Sequence, residues 1–208
     1  MEGTLSQAMP GSVTDSNGNT VTNNGNGTFT DTLGVTELTI GGNGNASSPL
    51  TFTYPVALQS DSATSATATV YYKTYTVQTN FQCSAISEYG ATSVDLIDHI
   101  IFPDAAASTY SFTYEATQGV SGAVTGRLAS ITLPTGGTIS YSYGGGCSSA
   151  GTGINTDGTV GSLTRATSDG ARTYTRATVN ANATSTTLQD EKGNQTLYQF
   201  SFSGGMFY

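Results

Sequence analysis

Hydrophobic and polar residues alternate in short runs along most of the chain. The runs LTFTY, TYSFTYE, TISYSY and TLYQFSF place aromatic or aliphatic residues at alternate positions, mostly with Thr, Ser or Gln between them, and ATVYYKTYTVQT and RTYTRATV alternate less regularly. This period is that of a β-strand, whose successive side chains point to opposite faces. Helical periodicity is nearly absent. The segment TSVDLIDHIIF also favours a strand, because it is rich in β-branched residues and is followed by Pro103.

Turn dipeptides separate these runs. They are Asn17-Gly18, Asn24-Gly25, Asn26-Gly27, Asn43-Gly44, Asp157-Gly158 and Asp169-Gly170. Asn-Gly and Asp-Gly tolerate a positive φ at both central positions of a tight hairpin turn. The sequence therefore predicts an all-β fold of antiparallel hairpins arranged as a meander.

One structural unit occurs twice in the middle of the chain. IIFPDAAASTYSFTY and ITLPTGGTISYSY each consist of an apolar strand, a turn containing proline and an aromatic strand, and the first turn is two residues longer. We treat residues 1–208 as a single domain, with a sub-boundary near residues 56–68 and the clearest repeats in residues 97–143. Repeats of this kind bury their apolar faces by stacking on one another.

A second pattern, Asp-x-x-Gly, occurs at Asp15, Asp31 and Asp190. The aspartate is expected to accept backbone N–H bonds across a turn whose glycine adopts the strained conformation. These segments are predicted to be corners between strands.

The segment from Gly126-Arg127-Leu128 to Tyr143 resembles the Rhs, or YD-repeat, proteins, whose repeats read roughly Tyr-Asp-x-x-Gly-Arg-Leu, then PxG, then an aromatic alternation. TDSNGNTVT and QDEKGNQTLYQF are similar to more degenerate copies, and residues 75–143 resemble portions of long exported Rhs-like proteins of soil bacteria. The resemblance implies a twisted, wall-like sheet of hairpins that belongs to a larger Rhs-like chain. Asp is missing before Gly126, and Gly144 follows Tyr143 where the family has Asp.

Charge and composition exclude some partners. The net charge is -8 and the chain has six Lys and Arg residues, whereas nucleic-acid binding requires clustered positive charge. No apolar run approaches the ~20 residues of a membrane helix, so membrane insertion is not expected. MEGTLSQAMPG has neither the basic nor the apolar region of a signal peptide. The Thr, Ser, Asn and Gly-rich composition nevertheless suggests an extracellular or cell-surface location in the parent protein.

The two cysteines, Cys83 and Cys147, leave two alternatives open. They can form one disulfide in an oxidising compartment, or they can remain separate thiols.

His99 is the only imidazole available for acid–base chemistry. In a regular strand Asp95 and His99 share one face while Asp98 points to the other, so Asp95 is the predicted partner of His99 in a weak catalytic pair, with Asp98 beside it. The alternative is an ordinary histidine on the surface of a strand. No Gly-x-Ser-x-Gly nucleophile motif occurs in the chain.

Calcium is the metal that the composition favours, because oxygen ligands are abundant and histidine is rare. Asp15, Asn17 and Asn19 have the spacing of alternate calcium ligands, and Asp190 with Glu191 is a second candidate. An ordinary Asx turn is the alternative at the first site.

Three functions are compatible with these observations. The first is a structural β-wall segment of an exported Rhs-like protein, acting as a scaffold or binding surface. The second is a calcium-dependent hydrolase of small esters or lactones, such as acyl-homoserine lactones. The third is a module that binds glycans or a protein strand through its aromatic strands. The alternative role of the aromatic rings is packing between strands. The rings are those of Tyr71, Tyr72, Tyr75, Tyr110, Phe112, Tyr114, Tyr141 and Tyr143.

Overall fold

The computed structural model describes residues 10–56, 64–147, 151–203 and 206–207. Residues 1–9, which make up most of the segment MEGTLSQAMPG, lie outside the described residues, as does most of the predicted sub-boundary, at residues 57–63. In the described parts of the chain no residue is helical. No described segment thus forms a helix with the length and hydropathy needed to cross a bilayer.

In the described residues fifteen β-strands follow one another in a single meander, which confirms the all-β prediction. Consecutive strands are hydrogen-bonded to each other along the whole order. The strands are β1 (Gly11–Thr14), β2 (Thr20–Asn23), β3 (Thr28–Thr30), β4 (Thr36–Gly41), β5 (Leu50–Val56), β6 (Thr64–Val77), β7 (Thr92–Ile101), β8 (Thr109–Ala116), β9 (Ala123–Thr132), β10 (Thr138–Gly144), β11 (Ser162–Thr167), β12 (Gly170–Asn180), β13 (Ala183–Gln189), β14 (Gln195–Ser203) and β15 (Met206–Phe207).

The segment TSVDLIDHIIF forms β7, as its β-branched residues predicted. One pairing departs from the meander, because the end of β6 also pairs in parallel with the start of β9. Thr76 lies opposite Ala123 and Val77 lies opposite Val124. Val77 and Ala123 are both buried, so this pairing forms part of the small core.

The chain divides into two compact units. Unit 1 comprises Met1–Thr74 and Asp95–Ser111, and unit 2 comprises Tyr75–Val94 and Phe112–Tyr208. In unit 1 the alternation of side chains separates two rows across β4, β5 and β6. Ile40, Phe52 and Ala68 lie opposite one another in one row, while Thr39, Thr53 and Thr67 form the neighbouring polar row.

Buried apolar side chains are few in the part of the chain that the structure describes. The buried apolar residues are Leu50, Val77, Phe81, Cys83 and Ala123, and no large side chain is completely enclosed. Several apolar residues are instead well exposed, such as Val13 and Leu33. Burial of apolar surface is the main favourable term in folding. Because this core is small, strand pairing and local cross-links must contribute a large share of the stability.

The Asp-x-x-Gly segments form corners between strands, as predicted, and all three share one turn. In each, the N–H of the aspartate donates to the carbonyl four residues later, and the glycine N–H donates back to the aspartate carbonyl. Gly18, Gly34 and Gly193 have φ values of 86°, 78° and 82°. This is a three-residue hairpin loop with glycine in the left-handed conformation.

The turn dipeptides adopt a different geometry from the predicted one, in which both central residues have a positive φ. In the described residues only Gln82 and Ala107 are non-glycine residues with a positive φ, so the Asn and Asp of every dipeptide have a negative φ. Where the loop has three residues, as at Asn17-Gly18, one left-handed residue closes it, whereas a two-residue type I′ turn needs two. Asp169 lies in a two-residue loop between Thr167 and Gly170 and still has a negative φ, so that turn is not of type I′.

The two copies of the repeated unit are both antiparallel hairpins, β7–β8 and β9–β10. In the second, Gly136 N–H donates to the Leu133 carbonyl over 2.9 Å, and Pro134 occupies the position that proline favours in such turns. In the first, the equivalent turn begins at Asp104, and Ala107 N–H donates to its carbonyl over 3.0 Å. The left-handed position is therefore alanine in one copy and glycine in the other.

Cys83 and Cys147 form a disulfide that links two segments of unit 2 separated by 64 residues along the chain. Of the two alternatives that the sequence left open, the cross-link is the one observed. Cys83 is buried and Cys147 is exposed. The bond joins the connection after β6 to the glycine-rich connection after β10.

We expect loss of the disulfide to lower stability substantially. A cross-link spanning 64 residues constrains the unfolded chain by about 4 kcal/mol in the chain-entropy model. The double variant Cys83→Ser and Cys147→Ser should therefore melt on the order of 10 °C lower than the oxidised protein in a thermal scan. A reductant should lower the melting temperature of the wild type only; an equal effect on the variant would contradict this prediction.

Ala107→Gly should stabilise the protein. Ala107 has a φ of 49°, where a side chain costs about 1 kcal/mol, and it is exposed, so no packing is lost. The matched control is Gly136→Ala, because an added Cβ would meet no atom within 4 Å and only the backbone penalty remains. Urea denaturation should show a gain of about 1 kcal/mol for the first variant and a similar loss for the second. Equal stabilities for Ala107→Gly and wild type would contradict the assignment of strain.

Candidate functional site

His99 lies on β7 of unit 1 between an aromatic ring and a carboxylate. Its ring stacks on Tyr71 with centroids 4.5 Å apart and an interplanar angle of 14°. Its Nδ1 lies 2.8 Å from Oδ2 of Asp98. The predicted partner of His99, Asp95, is therefore wrong. The carboxylate of the preceding residue, Asp98, contacts the imidazole instead.

Asp95 is held by other groups of unit 1. Its Oδ1 accepts a hydrogen bond from the Thr74 hydroxyl over 2.5 Å, and its Oδ2 accepts one from the Ala46 N–H over 2.9 Å. The bond from Thr74, followed by that from Ala46, lowers the pKa of Asp95. A carboxylate with a lowered pKa is a poor general base at neutral pH. Asp95 therefore fixes the loop around Ala46 rather than the imidazole.

The first predicted calcium site is a turn whose carboxylate is already engaged. Oδ1 of Asp15 accepts the backbone N–H groups of Asn17 and Asn19 over 2.8 and 2.9 Å, and Oδ2 accepts the side-chain amide of Asn19 over 2.9 Å. Asn17 and Asn19 thus contribute N–H donors to the aspartate, which is the Asx-turn arrangement.

The second predicted calcium site is split between two roles. Asp190 repeats the Asp15 turn: its Oδ1 accepts the N–H groups of Lys192 and Asn194, and its Oδ2 accepts the side-chain amide of Asn194. Glu191 instead accepts a bond from Nε of Arg172 over 2.8 Å. The structure therefore gives the two adjacent carboxylates different partners.

The other potential metal ligands in the described residues are not clustered either. Among the described residues no group of three or more His, Cys, Asp or Glu side chains is placed to share a metal ion. Asp15 and Asp190 have lowered pKa values, mainly because the side chain of the asparagine four residues later donates to each carboxylate.

Two pairs of aromatic rings contact each other on or next to the aromatic strands. Tyr75 and Tyr114 meet edge to face in unit 2 with centroids 5.3 Å apart, and Phe102 and Tyr110 do so in unit 1 at 5.8 Å. Such pairs favour this geometry because the positive ring edge meets the negative ring face. These rings are engaged in packing between strands.

The most connected polar group of unit 2 is Arg127, the arginine of the Gly-Arg-Leu segment. Its Nε donates to Oε2 of Glu115 over 2.7 Å and its Nη2 donates to Oε1 over 2.8 Å, forming a fork with two parallel bonds. Nη2 also donates to the carbonyl of Thr152 over 2.9 Å. The two charged side chains are largely buried, with 17% and 26% of their surfaces exposed.

Two aromatic rings cover the Arg127 guanidinium. Its central carbon lies 4.7 Å from the centre of the Phe81 ring and 4.1 Å from that of Tyr143. Each contact is a cation–π interaction, which strengthens when the cation is shielded from water. The Tyr143 hydroxyl donates to the Leu128 carbonyl over 3.1 Å, and burial raises the pKa of that phenol.

The sequence explains how Arg127 reaches this position. Gly126 has a φ of 84° within β9, a conformation that interrupts a regular strand and redirects the next side chain. Sequence reasoning used Gly-Arg-Leu only as a family signature and missed this role. The available signal was a strand glycine next to an arginine in a chain with only six basic residues.

A cavity of ≈ 210 Å³ lies beside this cluster within unit 2. Glu115 and Arg127 are the charged residues that line it. The other lining residues are Asn80, Phe81, Ala116, Gln118, Thr125, Tyr143, Gly151 and Thr152. The Thr125 hydroxyl donates to Oε2 of Glu115 over 2.7 Å, so the carboxylate is held by three donor groups from two residues.

The turn aspartates predict a loss of stability in acid. Hydrogen bonds lower the folded-state pKa of Asp190 below the ordinary value of about 3.9, so its stabilising contribution is present above that value and is lost as the pH falls through the folded-state pKa. Melting temperatures measured between pH 7 and pH 2 should fall less steeply for Asp190→Asn, which keeps an acceptor oxygen but cannot titrate. Identical pH profiles for the two proteins would show that Asp190 contributes nothing to the acid response.

Comparisons with known proteins add no identification to this geometry. No protein-family model, no curated protein and no solved structure matches the chain.

Proposed function

We propose that the chain is a structural β-repeat segment of an exported, Rhs-like protein, serving as a scaffold or binding surface at the cell surface or outside the cell. The observation that carries this proposal is the use of Arg127. This charged side chain lies in the segment that resembles the family motif, and its hydrogen bonds and ring contacts are made within unit 2.

Arg127 joins five segments of unit 2. Its partners come from β8 through Glu115, β10 through Tyr143, the connection after β6 through Phe81, and the connection after β10 through Thr152, while Arg127 itself belongs to β9. Arginine suits this role because its planar fork binds a carboxylate with two bonds while its faces stack on rings. A cluster of this kind compensates for a small apolar core.

The residues proposed for catalysis or calcium binding support the same interpretation. Asp15 and Asp190 close hairpin turns, Asp95 fixes a loop, and Glu191 pairs with Arg172 across two elements. The disulfide supports an oxidising compartment, in which exported proteins commonly retain such bonds.

The calcium-dependent hydrolase and the glycan-binding or strand-binding module stay alternative proposals. An assay that separates hydrolase from scaffold uses a panel of small esters and acyl-homoserine lactones, with calcium and with EGTA. The scaffold predicts no turnover above the buffer control and no effect of calcium on the melting temperature. Calcium-dependent turnover that is lost in His99→Ala or Asp190→Asn would replace the scaffold by the hydrolase.

Arg127→Lys should destabilise the protein strongly. Lysine keeps the charge but loses the forked bonds to Glu115 and the flat stacking between rings, so we expect a loss of about 2–4 kcal/mol in urea denaturation. The matched control is Arg172→Lys, which alters an Arg–Glu pair of the same unit whose arginine is 47% exposed. The control should leave the free energy of unfolding in urea nearly unchanged. Equal, small effects of both substitutions would remove the structural role assigned to Arg127.

A further inference from the structure

Asn-Gly dipeptides occur four times in unit 1, and the folded chain surrounds them differently. They are Asn17-Gly18, Asn24-Gly25, Asn26-Gly27 and Asn43-Gly44. An asparagine followed by glycine can lose its side-chain amide, because glycine has no Cβ to hinder attack of its backbone nitrogen on the asparagine Cγ. In a folded protein the rate of this reaction depends on whether that nitrogen and that carboxamide are held by other groups.

A hydrogen bond holds the attacking nitrogen at three of the four dipeptides. The acceptors are the Asp15 carbonyl for Gly18, Oδ1 of Asn23 for Gly25 and the Ser48 carbonyl for Gly44, at 3.1, 2.9 and 3.0 Å. Within the described parts of the chain the Gly27 N–H has no acceptor. Gly27 is buried, and a buried N–H without an acceptor costs free energy, which the reaction would relieve.

The Asn26 side chain is folded toward that nitrogen. Its Oδ1 accepts a hydrogen bond from the Thr28 N–H over 3.1 Å and another from the Thr28 hydroxyl over 2.7 Å. A bond to the N–H two residues later closes an Asx turn, which folds the carboxamide back over the intervening peptide and so toward the Gly27 nitrogen. Asn26 is exposed, so ammonia can leave and water can enter there.

The two bonds to Oδ1 of Asn26 lie where negative charge develops. When a nitrogen attacks an amide carbon, the carbonyl oxygen becomes an oxyanion, and donors already aimed at it lower the barrier. The Thr28 hydroxyl is also polarised, because its oxygen accepts from Nδ2 of Asn24 over 2.9 Å. We propose that Asn26 is a self-modification site, which the folded chain converts to aspartate or isoaspartate faster than the other three Asn-Gly asparagines, with Thr28 as the donor to the oxyanion.

The reaction consumes only water. The Gly27 nitrogen forms a bond to Cγ of Asn26, its proton passes through solvent to Nδ2, the Cγ–Nδ2 bond breaks and ammonia leaves. Water then opens the cyclic imide. Opening at Cγ gives aspartate, whereas opening at the main-chain carbonyl gives isoaspartate, whose backbone runs through the former side chain. Either product adds a negative charge, and isoaspartate also lengthens the connection between β2 and β3.

The test is peptide mapping by mass spectrometry of the oxidised full chain, incubated at neutral pH and sampled over weeks. Asn17, Asn24 and Asn43 are the internal controls, and fragmentation of the peptide separates Asn24 from Asn26. We expect Asn26 to be converted several-fold faster than each control in the folded chain. In urea the four rates should converge, because the hydrogen bonds that separate them are lost. Equal rates in the folded chain, or the same spread of rates in urea, would overturn the proposal.

Variants of Thr28 test the oxyanion donor. Thr28→Val removes the hydroxyl but keeps the β-branched shape, so conversion of Asn26 should slow about fivefold. Thr28→Ser keeps the hydroxyl and should keep the rate. If Thr28→Val fails to fold, Asn24→Ala takes its place, since it removes only the group that polarises the hydroxyl and should slow the reaction by a smaller factor. A rate at Asn26 that does not fall when the donor is removed or weakened contradicts the role given to Thr28.

Discussion

The left-handed residue of each three-residue loop is the constraint on which the register of its hairpin depends. Each three-residue loop needs a left-handed residue at its third position, and the chain places glycine there at Gly18, Gly34, Gly136 and Gly193. The flanking carbonyl and N–H groups then close the turn and set which residues lie opposite one another. Because a shift of one residue would move every side chain to the other face, these turns determine which residues of their own hairpins share a face.

Once the turns set the register, the sheet still has little apolar surface to bury. Buried side chains such as Leu50 and Val77 are few in the described residues, so stability must come from contacts that do not need a thick core. Unit 2 contains two such devices. The disulfide restricts the unfolded chain, and the Arg127 cluster connects strands with the loops that the disulfide also holds. Thr152 joins the same two loops, because its hydroxyl donates to the Phe81 carbonyl while its own carbonyl accepts from Arg127.

The sequence predicted what depends on local chemistry. Alternation identified the strands, and Asp-x-x-Gly identified the corners, because both patterns act over a few residues. It did not predict that β6 pairs with β9, or that Cys83 meets Cys147, because those contacts depend on the path of the chain through many intervening residues. The partner of His99 was missed for a smaller reason. Strict alternation assigns Asp98 to the opposite face, yet its carboxylate contacts the ring of the next residue, His99.

The Arg127 cluster also bears on why the chain keeps a charge in its interior. Replacing a buried ion pair by apolar side chains of similar volume is often neutral or stabilising, so stability alone does not require Arg127 and Glu115. The pair does provide directional bonds that apolar groups lack. The Glu115 oxygens and the Thr152 carbonyl accept from specific guanidinium nitrogens and so hold the guanidinium plane in one orientation. The one nitrogen left over, Nη1, is then the consequence of a fork aimed at Glu115. The free-energy cost of this unpaired donor is offset by the bonds that the other two nitrogens make.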